Sequence, residues 1–495
     1  MSKDILERYI TEQSPFGPIK SEDLAGGNGL TAFKALYSSG TEVHRRLDHH
    51  RPNCLMGRKG SGKTAFLLGK LIQDNANVVQ LQQAALFSGM ENVVRAFYEK
   101  DSSINAEILA DIWDALIVHV VGLRLMDTLQ PSDPDHEKST IWTYIRGIEE
   151  AAAIQADDHP TTRANAVAGW FTAEVQRQLE ESDERQAGEQ LLARLMMRDV
   201  SYQAFRHACR ELVGVRNQPV VILVDTLEDF GTNFTKLAEV TRGLLQLLAR
   251  HDPLEDRYEL FVCLPSEVSS LMREISANPA KSLERSLTIA WTTRELVRLA
   301  AQRFSLYLSL HDPRAYTRLG AEKDDRIAFT DARRILESVL PTWVPSGFGQ
   351  SERPLMYIIR HTQLLPRQVI QFCNSIWREN ASLGGKPTDV SADAVLRGIQ
   401  EVEEALVEDV LGGYMARHPL AGDVCEKVLP RLRLVNHMGD VKRAIRESKA
   451  QQMLPGRTVG DATQLLVDIG ALGRHRQTTD QYHEATFSFT ERRMA

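Results

Sequence analysis

Asn53-Cys54-Leu55-Met56-Gly57-Arg58-Lys59-Gly60-Ser61-Gly62-Lys63-Thr64 is the stretch that decides the fold of this chain. Asn53 to Met56 is a short apolar run of the kind that forms a strand. Gly57 to Thr64 then satisfies G-x-x-x-x-G-K-[ST] at every required position. Downstream, Phe66, Leu67, Leu68, Leu71 and Ile72 recur on one broad helical face. Strand, glycine-rich loop and helix in that order make a phosphate cradle. Glycines let successive backbone N–H groups turn inward, the helix N-terminus adds its dipole, and Lys63 sets a cation against the β- and γ-phosphates. Thr64 offers a hydroxyl to Mg²⁺. The expected ligands are ATP and Mg²⁺, held by Gly57, Arg58, Lys59, Gly60, Ser61, Gly62, Lys63 and Thr64. Arg58 and Lys59 are expected to face solvent, or phosphate without specificity.

Such a loop needs a parallel sheet around it and a second carboxylate for the metal. Asn77–Leu81, rich in valine, reads as another strand. Val220-Val221-Ile222-Leu223-Val224 is a continuous β-branched run, the mark of a strand buried on both faces. Leu260–Leu264 repeats that pattern after a helix over Lys236–Ala249, so strand, helix and strand alternate with right-handed crossovers. The fold class is therefore α/β, a P-loop NTPase-type parallel sheet flanked by helices. Val220–Val224 ends in Asp225, at the edge of an open parallel sheet where ligands sit, and Asp225 is the candidate metal acid. A solvated acidic turn is the plainer alternative. Glu228 and Asp229 compete to polarise the attacking water.

Around this core, residues 51–291, the chain divides as follows. Residues 1–50 read as a mostly irregular arm with one amphipathic helix from about Leu30 to Leu47. Residues 130–213 or so, opened by Pro131-Ser132-Asp133-Pro134-Asp135 and carrying charged runs such as Glu174–Arg194, read as a helical insertion. From 292 to 386 the chain is helical: Thr292 and Glu295 form a capping box, and Pro366 opens a helix carrying Val369, Ile370, Cys373, Ile376 and Trp377. Gly384-Gly385-Lys386-Pro387 looks like a linker. Residues 387–495 give helices, a helix over Asp461–Ile469, the turn Gly470-Ala471-Leu472-Gly473 and an alternating stretch Ala485–Phe489, which together suggest a winged helix-turn-helix.

The run Asp225-Thr226-Leu227-Glu228-Asp229 resembles the Walker B pattern of STAND P-loop ATPases and their NACHT branch, usually D-G-L-D-E; Thr226 and the order of the last two acids depart from it. Further pieces extend the likeness: Phe16-Gly17, Ala290-Trp291-Thr292 leading to Leu296 and Arg303, Leu365-Pro366-Arg367 leading to Phe372-Cys373-Asn374, and Ile469 to Gly473. Together they are similar to a bacterial family of stand-alone P-loop ATPases found beside anti-phage and other conflict genes. The resemblance implies a helical lid over 292–386. It also implies a sensor-like Ser266, with helix capping as the alternative, and a sensor-2 role for Arg367 at the start of the lid helix, with a surface arginine as the alternative. Arg273 and Arg285 become arginine-finger candidates if subunits meet there. The resemblance to STAND ATPases also implies a winged helix that packs on the ATPase core and holds it shut.

The whole chain has 495 residues, 43% hydrophobic and 25% charged, with a net charge of −7. That length calls for about three domains, and the acidic balance argues against a surface that clings everywhere to DNA or anionic lipid. Locally, though, Pro430–Arg476 carries nine Lys or Arg (Arg431, Arg433, Lys442, Arg443, Arg446, Lys449, Arg457, Arg474, Arg476) against four acids, so DNA or RNA contact is one expectation and a solvated face the other. No run of about 18 apolar residues and no signal-like N-terminus is seen, so no membrane is expected and the cytoplasm is the expected compartment. Five scattered cysteines read as reduced packing residues. The six tryptophans read as core, and His49 and His50 as exposed turn residues. No acyl-transfer triad, zinc-ligand cluster or dinucleotide G-x-G-x-x-G follows any strand. The function expected is a slow Mg²⁺-dependent ATPase switch that regulates or assembles a protein effector encoded nearby in anti-phage defence, with a homo-oligomer as a further partner. Its competitors are an ATP-locked scaffold that hardly hydrolyses and a DNA-loading or transposition-type ATPase.

Overall fold

The computed structural model describes residues 3–24, 29–37, 41–50, 52–74, 78–81, 83–99, 106–129, 136–155, 158, 160–181, 200–216, 219–225, 234–266, 285–321, 327–345, 351–415, 418–433, 435–477 and 483–486. These fall into two compact units. One comprises His50–Met56 with Lys70–Leu287; the other comprises Met1–His49, Gly57–Gly69 and Thr288–Ala495.

The first unit holds a five-stranded, all-parallel sheet: β1 (Cys54–Gly57), β2 (Val78–Leu81), β3 (Val220–Asp225), β4 (Tyr258–Pro265) and β5 (Ser286–Thr288), in the spatial order β2-β3-β4-β1-β5. β2, β3 and β4 are in register, with Val79 beside Ile222 and Ile222 beside Leu260. Burial follows position. Every residue of β1 and β3 is buried, whereas the edge strand β2 alternates, as an edge with one less covered face should. β5 is a strand that composition does not announce. It is set by backbone bonds, since the Arg285 carbonyl accepts from Asn53 N at 2.9 Å and from Cys54 N at 3.3 Å.

Helices cover the sheet. Ala106–Asp127 is almost wholly buried and lies against Phe234–Arg250, where Gly243 admits the Leu109 backbone and the Trp113 indole donates to the Val240 carbonyl at 3.1 Å. Between β2 and β3 the helices His136–Ala151, Pro160–Glu181 and Val200–Arg216 also build this layer. The charged run expected over Glu174–Arg194 is helical as far as Glu181, and its remainder lies outside the described residues. Arg163 pairs with both Asp127 and Glu149 to tie three of these helices together.

His119 sits at the centre of this helical layer, 3% exposed, among Tyr144, Phe171, Tyr202 and Phe205. One ring nitrogen, Nδ1, lies 2.6 Å from the Ala115 carbonyl. Burial pushes its pKa down to about 4. Because the unfolded chain takes up a proton near pH 6.5 and the folded chain does not, stability is full above about 6.5. It falls by about 1.4 kcal/mol per pH unit towards 4. His119→Phe should flatten this acid sensitivity in thermal melts run at pH 7, 6 and 5; a melting temperature that drops with pH as steeply in the variant as in the wild type refutes the assignment.

In the second unit the N-terminal arm is more structured than its turn-rich composition implies. Helices occupy Lys3–Tyr9, Gly29–Leu36 and Glu42–His50, so the single helix expected from Leu30 to Leu47 is two, and His49, exposed, lies in a helix rather than a turn. Phe16 is fully buried against Phe304 and Trp377. Asn374 accepts from Phe16 N and donates to the Gly17 carbonyl, both at 2.9 Å, while the half-buried Arg303 donates to the Phe16 carbonyl at 2.8 Å. The capping box at Thr292 and Glu295 opens helix Thr293–His311, and Pro366 opens helix Pro366–Ser382. The expected linker 384–387 is a pinned turn, held by Trp377 Nε1 and Asn380 Nδ2 on the Pro387 and Lys386 carbonyls.

The C-terminal part of this unit has its own core. Val424, Val428, Ile445, Leu465 and Leu466 close three helices, Ala421–Val428, Met438–Ser448 and Val459–Asp468, over one another. A two-stranded antiparallel ribbon, Arg474–Gln477 with His483–Thr486, follows. All five cysteines are free and buried. Trp142 and Trp343 are 42% and 53% exposed, so not every tryptophan is core. Among the described residues no helix is long and apolar enough to cross a membrane.

Candidate functional site

The glycine-rich loop begins where β1 ends. Gly60 and Gly62 have φ of +81° and +93°, a region closed to most side chains, and these two residues make the curl. Ser61 N closes a tight turn on the Arg58 carbonyl at 3.0 Å, and Phe66 N bonds the Gly62 carbonyl at 3.0 Å as the helix Lys63–Asp74 starts. A side chain added at Gly62 would meet nothing within 4 Å among the described residues, so that face of the loop is open. Lys63 is only 2% exposed, and its Nζ donates to the Gly57 and Arg58 carbonyls at 3.0 and 3.1 Å. Thr64 is half-buried in the helix's first turn. Curl, helix start, lysine and hydroxyl fit a polyphosphate with its metal, provided the ammonium exchanges its two carbonyls for phosphate oxygens.

The expectation for Arg58 is corrected. Arg58 does not face solvent or phosphate: it is 4% exposed, and its guanidinium donates to Gln363 Oε1 at 2.8 Å and to the Ile469 carbonyl at 2.9 Å. Lys59 bonds Asp409 at 2.8 Å. Neither contact could be read locally, because each partner is more than 300 residues away. Trp291 is buried, as core packing predicts, and its indole also donates to the Ser61 carbonyl at 2.8 Å and props the loop. The piece Ala290-Trp291-Thr292 was the only signal for it.

Arg367, the second residue of helix Pro366–Ser382, is brought to the loop. Its backbone N lies 3.4 Å from the Gly60 carbonyl, and a Cβ on Gly60 would stand 3.0 Å from that of Arg367. The sequence places it at a helix start, and the fold sets that start beside the glycine-rich turn. Gln363, four residues earlier, carries no sequence signal at all.

In the sheet unit, Asp225 ends β3 with 4% exposure, paired in register with Cys263. Ser266 follows β4 at once and is 9% exposed. Since β1, β3 and β4 run the same way, Met56, Asp225 and Ser266 all lie at the carboxyl edge of the sheet, the edge at which open α/β sheets take ligands. Among the described residues no cluster of three or more His, Cys, Asp or Glu could hold a metal. Glu228, Asp229 and Arg273 lie outside the described residues. Arg285 is described and exposed, and its carbonyl serves the β1–β5 junction.

The basic C-terminal segment is displayed on the surface. Arg431, Arg433, Lys442, Arg443, Arg446, Lys449, Arg457 and Arg474 are all exposed, with Arg443 paired to Asp440. The third helix of the module, Val459–Asp468, presents Asp461 and Gln464 to solvent and no cation. No family model, no curated protein and no solved structure matches this chain.

Proposed function

We propose that this chain is a Mg²⁺-dependent ATPase switch of STAND type, in which a helical lid and a winged-helix end respond to the nucleotide held by the P-loop and regulate or assemble a protein effector. The observation that carries the reading is the loop itself: two glycines in left-handed backbone, a lysine heading a helix and an open face at Gly62, on a strand of a parallel sheet. Lys63 would neutralise the β- and γ-phosphates. Thr64 and Asp225 would hold Mg²⁺, which supplies charge neutralisation at the phosphates. Water attacks the γ-phosphorus, the bond to the β,γ-bridging oxygen breaks, ADP leaves, and the water proton passes to a carboxylate or to the released phosphate. Glu228 or Asp229 would orient that water, and Ser266 and Arg367 would bear on the γ-phosphate. Most of the acceleration then comes from positioning and charge. Single-turnover hydrolysis of labelled ATP tests this: slow release of phosphate supports the ATPase, tight binding without release leaves the ATP-locked scaffold, and no binding removes both.

A DNA-associated ATPase is the second reading, favoured by the exposed basic residues of the C-terminal module. Against it stands the acidic face of helix Val459–Asp468, the position from which a winged helix would enter a groove. Neutralising Arg443, Arg446, Arg474 and Arg476 together separates the two. If they grip phosphates, duplex affinity should fall and the salt slope should flatten by roughly one unit per lost contact, as read by anisotropy at two salt concentrations. If the module instead acts on the loop, DNA behaviour should stay flat and basal phosphate release should rise.

A further inference from the structure

Three consecutive loop residues are each bound to a different distant element of the same unit. Lys59 pairs with Asp409 of helix Ala392–Met415, the Gly60 carbonyl faces Arg367 N, and Arg58 reaches the turn that closes helix Val459–Asp468. The Lys59 pair is partly exposed on both sides and holds little energy. Arg58 is different. Its guanidinium is buried and forked, with one arm on Gln363 Oε1 and the other on the Ile469 carbonyl, and charge-assisted bonds of this kind are the stronger sort. Gln363 completes the knot by donating to the Ile469 and Gly470 carbonyls at 3.2 and 3.1 Å. Leu364, next in the chain, is held at φ +55°, a strained conformation for a bulky residue that the surrounding contacts must impose. The ribbon Arg474–Gln477 starts four residues beyond Gly470.

The other end of Arg58 is its carbonyl, and that carbonyl is one of the two that receive Lys63 Nζ. One residue therefore joins the phosphate-binding lysine to the C-terminal module. We propose that Arg58 is a positioning residue that couples the two: when Lys63 leaves the Arg58 carbonyl for a triphosphate, the Arg58 backbone resettles and its grip on Ile469 is given up, freeing the turn and the ribbon. This rests on the P-loop binding ATP. Coupling is reciprocal, so a loosened turn must also favour ATP. The closed form, with Lys63 satisfied by carbonyls, acts as a tax on nucleotide affinity that loss of the knot removes.

The experiment uses the full chain and two readouts. Amide hydrogen exchange over 469–477 is followed with and without Mg-ATP in the wild type, which needs no variant. ATP affinity is then measured by calorimetry in the wild type, in Gln363→Ala, which touches no phosphate-binding group, in Arg58→Ala and in Arg58→Lys. Expected are several-fold faster exchange in the presence of ATP and an affinity about 5- to 30-fold tighter in Gln363→Ala and Arg58→Ala. Arg58→Lys, able to keep one of the two bonds, should fall between them and the wild type. A purely structural Arg58 would weaken folding without tightening ATP. ATP binding that leaves exchange unaltered and is matched by wild-type affinity in both alanine variants overturns the coupling and leaves the nucleotide reading standing. No ATP binding by the wild type overturns both.

Discussion

Lys63→Ala should lose ATP by at least about 10²-fold in affinity, because hydrogen bonds to charged groups contribute about 1.5–3 kcal/mol each and the variant forfeits two or more of them. The loop cannot be treated as an exposed appendage in this experiment. Lys63 is 2% exposed and donates to the Gly57 and Arg58 carbonyls, so its removal takes a charged donor from both, the Arg58 carbonyl keeping only its bond from Ser61 N, and also slackens Arg58. Lys63→Met, which keeps the apolar stem and drops the charge, belongs beside it, with a thermal melt for both. Wild-type ATP affinity in a folded Lys63→Met variant, measured by calorimetry, would remove the basis for the nucleotide reading.

What could be read from sequence was whatever is encoded within about twenty residues. β1, the loop and the helix after it are one local pattern, and the fully apolar run at 220–224 could only be a strand buried on both faces; both are where they were expected. One boundary moved slightly: helix Val459–Asp468 starts earlier than Asp461, behind the Thr458 and Asp461 capping box. Long-range contacts were illegible. Phe16 is buried because Asn374 and Arg303, more than 280 residues on, receive its backbone, and nothing near Phe16 encodes that. Arg58 failed for the same reason: a cation in a phosphate loop reads as a phosphate ligand until its partners at 363 and 469 are seen.

Glu228→Gln should keep ATP and Mg²⁺ bound yet lose turnover by about 10²-fold or more, the usual order for a positioning or acid–base group. β3 ends at the site. Its last residue, Asp225, is buried at the carboxyl edge of the sheet, where a carboxylate can serve a metal bound to phosphates. A water-positioning acid must stand further out than the metal acid, since the attacking oxygen approaches the γ-phosphorus from the side opposite the leaving group. Glu228 and Asp229 are the next two acids after Asp225. Glutamate's longer stem gives Glu228 more reach than the shorter aspartate has. Asp229→Asn is therefore the informative partner: with ATP affinity matched across the set, single-turnover rates should collapse in Glu228→Gln and hold within a few-fold in Asp229→Asn. The reverse pattern moves the role to Asp229, and wild-type rates in both, with Asp225→Asn inactive, would mean that neither acid orients the water.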